Sequence, residues 1–187
     1  MIIIRFFFVA FFTGMMVGAI AQPVLITKNG SIQFFSATPI EDIKAINNKV
    51  YSSLNIETGS LQFLATIKYF EFKRSAMQKH FNDEDYMHSE KYPTSAFKGS
   101  IIDKESVDFT KDGSYSAIIE GDLNMHGVTR KIKTKAIFDI RNGLIAAQAT
   151  FPVRLEDYNI KVPRIVIKKI AEVVEVTVSC QYQPSKN

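Results

Sequence analysis

From Gln22 to Tyr182 the chain alternates apolar and polar residues with a period that is mostly two, and this restricts it to β-structure. A half-buried strand turns successive side chains to opposite faces, whereas a helix brings apolar positions round only every three to four residues. The alternating runs are rich in Val, Ile, Thr, Phe and Tyr. They are punctuated at Asn29-Gly30, Thr58-Gly59-Ser60, Asp112-Gly113, His126-Gly127 and Asn142-Gly143. Three of these, Asn29-Gly30, Asp112-Gly113 and Asn142-Gly143, are pairs that tight hairpins favour because their central residues need positive φ. Consecutive strands are therefore expected to be antiparallel neighbours.

Two stretches depart from the period. Ser75 to Met87 has helical spacing, with Met77 and Phe81 on one side and Ser75 and Gln78 placed as a capping box. Leu155 to Pro163 reads as a turn or short helix ended by Pro163. Pro184 to Asn187 reads as a loose tail. The expected fold class is all-β, an antiparallel arrangement with a short helical insert, either a sandwich or a closed barrel of about eight strands that leaves no exposed edge.

The inward-facing positions mix large rings with small side chains. Phe34, Phe63, Phe97, Phe138 and Phe151 share that face with Ser52, Ala65, Ala117, Gly121, Ala136, Ala147 and Ala149. A barrel of about eight strands is just wide enough to be filled by side chains or to hold one slim ligand, so small inward residues suit an apolar tunnel. The same pattern also suits small residues interdigitating with Phe in a filled core.

The N-terminus carries Arg5, an apolar run from Phe6 to Val17 and the small-residue close Ala19-Ile20-Ala21. This matches a secretory signal over residues 1–21, cleaved before Gln22. The run is short of the ~20 residues a membrane span needs. Residues 22–187 are then expected to form one domain, periplasmic or secreted. The formal net charge of +4 does not point to nucleic acid, and no recognition helix or base-stacking motif is present. Cys180 is the single cysteine, so no internal disulfide and no cysteine metal site can form. It alternates with Val174, Val176 and Val178, which predicts a buried, inert thiol.

Two segments carry a resemblance: HSEKYPTSAFKG, from His88 to Gly99, and GDLNMHGVTRKI, from Gly121 to Ile132. In this order and separation they resemble the YceI-like family, lipocalin-like proteins associated with polyisoprenoid binding, over about Gly30 to Val178. The resemblance implies a periplasmic barrel that holds an isoprenoid chain of polyprenyl or quinone type, with no catalytic residues to carry over and no cofactor beyond the lipid itself. The residues expected to contact it are Phe34, Phe63, Ala65, Ile67, Phe97, Ala117, Ile119, Phe138, Ala147, Phe151 and Val176.

Other chemistry is thinly supported. No Ser, Cys or Thr stands in a context that would activate it as a nucleophile. His80, His88 and Glu90, with Asp83 to Asp85 nearby, allow a metal-assisted enzyme to be drawn, but their spacing is not a known ligand pattern and a solvated acidic surface explains them. His126 suits a turn or a structural hydrogen bond. Tyr92 suits either sealing a barrel mouth or packing under the helical insert. Arg130, Lys131, Lys133, Lys135, Lys168 and Lys169 suit either a solvated strand face or a peripheral contact with anionic lipid head groups. The competing functional reading is an envelope stress or interaction protein whose barrel is filled.

Overall fold

The computed structural model describes residues 24–161 and 170–182. The segment 1–21 expected to be a signal, Pro163, Lys168, Lys169 and the tail from Pro184 lie outside the described residues. Among the described residues nine strands form: β1 (Val24–Ala37), β2 (Asp42–Asn55), β3 (Ser60–Thr66), β4 (Glu71–Phe72), β5 (Thr94–Ile101), β6 (Gly113–Met125), β7 (Val128–Arg141), β8 (Leu144–Arg154) and β9 (Val173–Tyr182). All pair antiparallel. Around the ring the order is β1, β9, β8, β7, β6, β5, β3, β2, and β2 pairs again with β1. Eight strands thus close a barrel without a free edge. The two-residue β4 stands outside the ring, joined to β2 through Ala45↔Phe72 and Ile46↔Glu71.

Two of the turn signals form tight hairpins. His126 and Gly127 (φ 51° and 75°) join β6 to β7, and Asn142 and Gly143 (φ 51° and 75°) join β7 to β8. Two others do not. Asn29-Gly30 lies inside β1, where the register with β2 slips between Thr27 and Gly30 and again between Gly30 and Ile32. Gly30 is needed there for close approach, because a Cβ would stand 2.8 Å from Cys180 Sγ and 3.1 Å from the Val50 carbonyl oxygen. The matching irregularity in β2 shifts its inward phase from Val50, Ser52 and Leu54 to Ala45 and Asn47. Buried Asn47 secures it, donating from Nδ2 to the Thr66 carbonyl (2.9 Å) and accepting at Oδ1 from Lys49 N (2.9 Å). Asp112-Gly113 ends the long 102–112 connection, and Asp112 Oδ1 accepts from Asn142 N (2.9 Å) in the neighbouring hairpin.

The helical insert is α1 (Ser75–Asn82), shorter than the Ser75 to Met87 its spacing suggested, and Asp83 already has extended backbone. The capping-box reading fails as well. Arg74, not Ser75, is the cap residue, and no side chain caps the helix. The Leu155 turn is a short 3₁₀ helix over Leu155–Tyr158, closed by Asn159 in the left-handed region at φ 57°.

The interior has two apolar clusters. At one end Leu25, Leu54, Leu61, Ile101, Val107, Ala117, Ile119, Phe138, Ile140, Ile145 and Tyr182 pack tightly, with Phe109 folded in from the 102–112 connection. This end is closed. At the other end Ala45, Ile67, Phe70, Met87, Val153, Tyr158, Ile160 and Val174 form a second cluster beneath α1. β3 stops at Thr66 and β5 starts at Thr94, held by Ile67 N donating to the Pro93 carbonyl (2.9 Å). Beyond that level the wall beside β2 is supplied by segment 67–93, which forms one side of the barrel mouth.

Candidate functional site

Between the clusters lies an apolar cavity of about 550 Å³. It falls within the ~300–1,000 Å³ typical of ligand sites. Alternation along each strand supplies its wall: Ile32 and Phe34 from β1, Phe63 and Ala65 from β3, Phe97 from β5, Ile119 and Leu123 from β6. Opposite stand Ile132, Thr134, Ala136 and Phe138 from β7, Ala147, Ala149, Phe151 and Val153 from β8, and Val174, Val176 and Val178 from β9. From Val153 to Ala147 the wall follows roughly 20 Å of strand at ~3.3 Å per residue.

Ten of the eleven residues anticipated from sequence border this cavity: Phe34, Phe63, Ala65, Ile67, Phe97, Ile119, Phe138, Ala147, Phe151 and Val176. Ile67 does so from the 3₁₀ turn after β3. Ala117 is the exception. It is 1% exposed and belongs to the packed closed end, opposite Ala136 in the register.

The mouth holds side chains absent from that set. Phe70, Phe72, Met77 and Phe81 line it, and Phe81 of α1 stacks on Phe34 with ring centres 5.5 Å apart. Phe72 and Phe70 close on Phe81 at 5.0 and 5.5 Å. Met77 and Phe81 were visible as one helical side, but that the side faces the barrel depends on where β4 docks. Arg74 pairs with Glu41 across the mouth and bonds Met77 Sδ (3.5 Å).

Two serines on the wall are already engaged. Ser36 Oγ accepts from Ala171 N (2.9 Å) and Ser95 Oγ donates to the Asn124 carbonyl (2.8 Å). His80 faces Asp83 at 3.6 Å. Tyr86, also at the mouth, has its phenol pushed above the usual value by burial and by Asp85 and Asp83. The shaft therefore offers apolar contact rather than free hydrogen bonds. Buried water, which needs ~2–4 polar partners, is poorly served there.

The residues once drawn as a metal centre disperse. His80 meets Asp83, His88 packs edge-on to Tyr92 (5.9 Å) and Glu90 lies 3.7 Å from Lys68. Among the described residues no group of three or more His, Cys, Asp or Glu converges. The two segments that carried the resemblance meet each other instead. Tyr92 packs on His126 (4.4 Å) and over Gly127, where a Cβ would fall 2.6 Å from its ring. His126 Nδ1 donates to the Tyr158 carbonyl (3.0 Å), tying this clasp to the β8–β9 connection. Burial, reinforced by Asp157, raises the Tyr158 phenol. On the outer face, Lys131 and Lys133 stand opposite Asp122 and Glu120 of β6, a pairing that suits a solvated strand.

A closed antiparallel barrel with one sealed end and an apolar shaft defines the lipocalin-like class. Residues 24–182 match the YceI-like domain, and the chain belongs to that family. Its fold is similar to a polyisoprenoid binding domain from Saccharophagus degradans implicated in plant cell wall breakdown. That likeness has a TM-score of 0.73 at 13% identity, covering 88% of this chain and 100% of that one. BcnA of Burkholderia cenocepacia is similar with a TM-score of 0.68 at 11% identity, over 81% of this chain and 95% of that one. The YCEI protein of Campylobacter jejuni follows at 0.56 and 14%, over 74% and 81%. At these identities the structures share the fold alone. No curated protein sequence matches the chain.

Proposed function

We propose that the protein binds one long apolar isoprenoid chain, of polyprenyl or quinone type, inside the barrel and performs no chemistry on it. The observation that carries this reading is the shaft of about 550 Å³, lined by apolar side chains and sealed at one end. Each methylene moved from water into such a shaft contributes ~0.8 kcal/mol and needs no polar partner. Side chains pack the two ends and leave the cavity between them, so the filled-barrel alternative describes part of the interior. The choice of an isoprenoid over another hydrocarbon is supported by family membership and by the polyisoprenoid-binding neighbour. In the same reading the N-terminal segment directs export, with the mature protein starting at Gln22.

Titration of delipidated protein with a polyprenol and with a fatty acid of similar length tests the assignment. Saturable binding of one polyprenol per barrel, tighter than the fatty acid, is expected. Absence of saturable polyprenol binding refutes it.

A further inference from the structure

We propose that Phe138 sets the length of the chain the barrel accepts, an inference that rests on the isoprenoid-binding reading. Down β7 and β8 the wall is first narrow in side-chain volume, with Ala136 opposite Ala149, and one step deeper Phe138 stands beside Ala147. Ala147 and Ala149 are half-buried and line the shaft, whereas Phe138 is 0% exposed. Phe138 belongs both to the cavity lining and to the packed end, so it stands at the boundary between them.

Its far side is backed firmly. Phe109 meets Phe138 edge-on, with centres 5.6 Å apart and planes at 84°. Phe109 arrives on the 102–112 connection, which is anchored by buried Val107 and by Asp103 Oδ1 accepting from Ile118 N (2.7 Å). In the same closed end Tyr182 and Ser52 share a buried hydrogen bond of 2.6 Å. Swinging the Phe138 ring aside would require moving this plug, so a chain entering from the mouth ends against it. Before that point each added methylene tightens binding about fourfold. Beyond it, added carbons remain at the mouth and the gain stops.

A ladder of prenyl alcohols, from geraniol through farnesol and geranylgeraniol to longer polyprenols, reads the break point as the length where affinity stops rising. Phe138→Ala lengthens the shaft toward Phe109, and Ala147→Leu fills the deepest layer. Circular dichroism melts record folding of each variant. The expected result is a break displaced to longer alcohols in Phe138→Ala, with affinity for them raised on the order of tenfold. Ala147→Leu is expected to displace it to shorter ones, and this cavity-facing change carries the test if Phe138→Ala fails to fold. A break at one length in all folded proteins overturns the ruler and leaves isoprenoid binding standing. Wild-type protein that binds no member of the ladder overturns both.

Discussion

The small inward residues behave in opposite ways. Ala65, Ala136, Ala147 and Ala149 border the shaft, but the space beside Ser52 is taken by the Tyr182 hydroxyl and the space over Gly121 by the Phe97 ring, 2.7 Å from an added Cβ. Alternation reports which face a residue occupies and is silent on its depth, so Ala117 looked equivalent to Ala147. Ala117→Phe should overpack the closed end and lower stability by ~1–3 kcal/mol, whereas Ala147→Phe should exclude lipid and melt where delipidated wild type does. Thermal melts and lipid content measured on both variants check this. Cys180 was legible from its Val neighbours and is 3% exposed. Burial pushes its thiol up to about 11, and hydrogen bonds with Ser52 and Tyr182 offset this only in part. Burial also pushes the Tyr182 phenol far up. Because the folded thiol holds its proton more tightly than the unfolded one, its contribution is intact below the unfolded value near 9 and is lost as pH rises to about 11. Denaturant titrations should show a loss on the order of 3 kcal/mol across that window, smaller in Cys180→Ala. A thiol reagent at neutral pH should label native protein far more slowly than unfolded protein.

Among elements, the hairpins were partly readable. Asn142-Gly143 turned as its type requires, and Asn29-Gly30 did not, since a bulge needing a close approach of β1 to Cys180 uses the same residues as a turn. Nothing local separates the two; the partner strand decides. The α1 helix was legible in its spacing, but its role was not. It contains no buried residue and is held through Phe81 among Phe34, Phe70 and Phe72, and through Arg74 with Glu41. An element so lightly tied opens locally at low cost. Phe81→Ala should speed amide exchange across Ser75–Asn82 and accelerate lipid uptake and release, while global stability changes little. Equal protection in variant and wild type would show that α1 is anchored elsewhere. At the clasp, Gly127→Ala should be more damaging than Gly143→Ala. Both hold φ at 75°, but only Gly127 lies under Tyr92, while nothing stands within 4 Å of a Cβ at Gly143. Melting temperatures of the pair decide this.

At the scale of the molecule, the sequence made antiparallel strands and the inward face readable, and the paired motifs made the family readable. Closure, the sealed end and the aromatic mouth depend on contacts such as β1 with β9 and Phe109 with Phe138, which join residues far apart in the chain. A ligand that binds only the folded barrel should stabilise it, by ~2.7 kcal/mol at a hundredfold excess over Kd, so delipidation should lower the melting temperature. The most direct measurement is mass spectrometry of lipid extracted from protein purified gently from the cells that make it, alongside Ala147→Phe treated identically. The account predicts an isoprenoid-chain lipid near one per barrel in wild type and its loss in the variant. Equal traces in both, or a wild-type barrel carrying no isoprenoid, would contradict it.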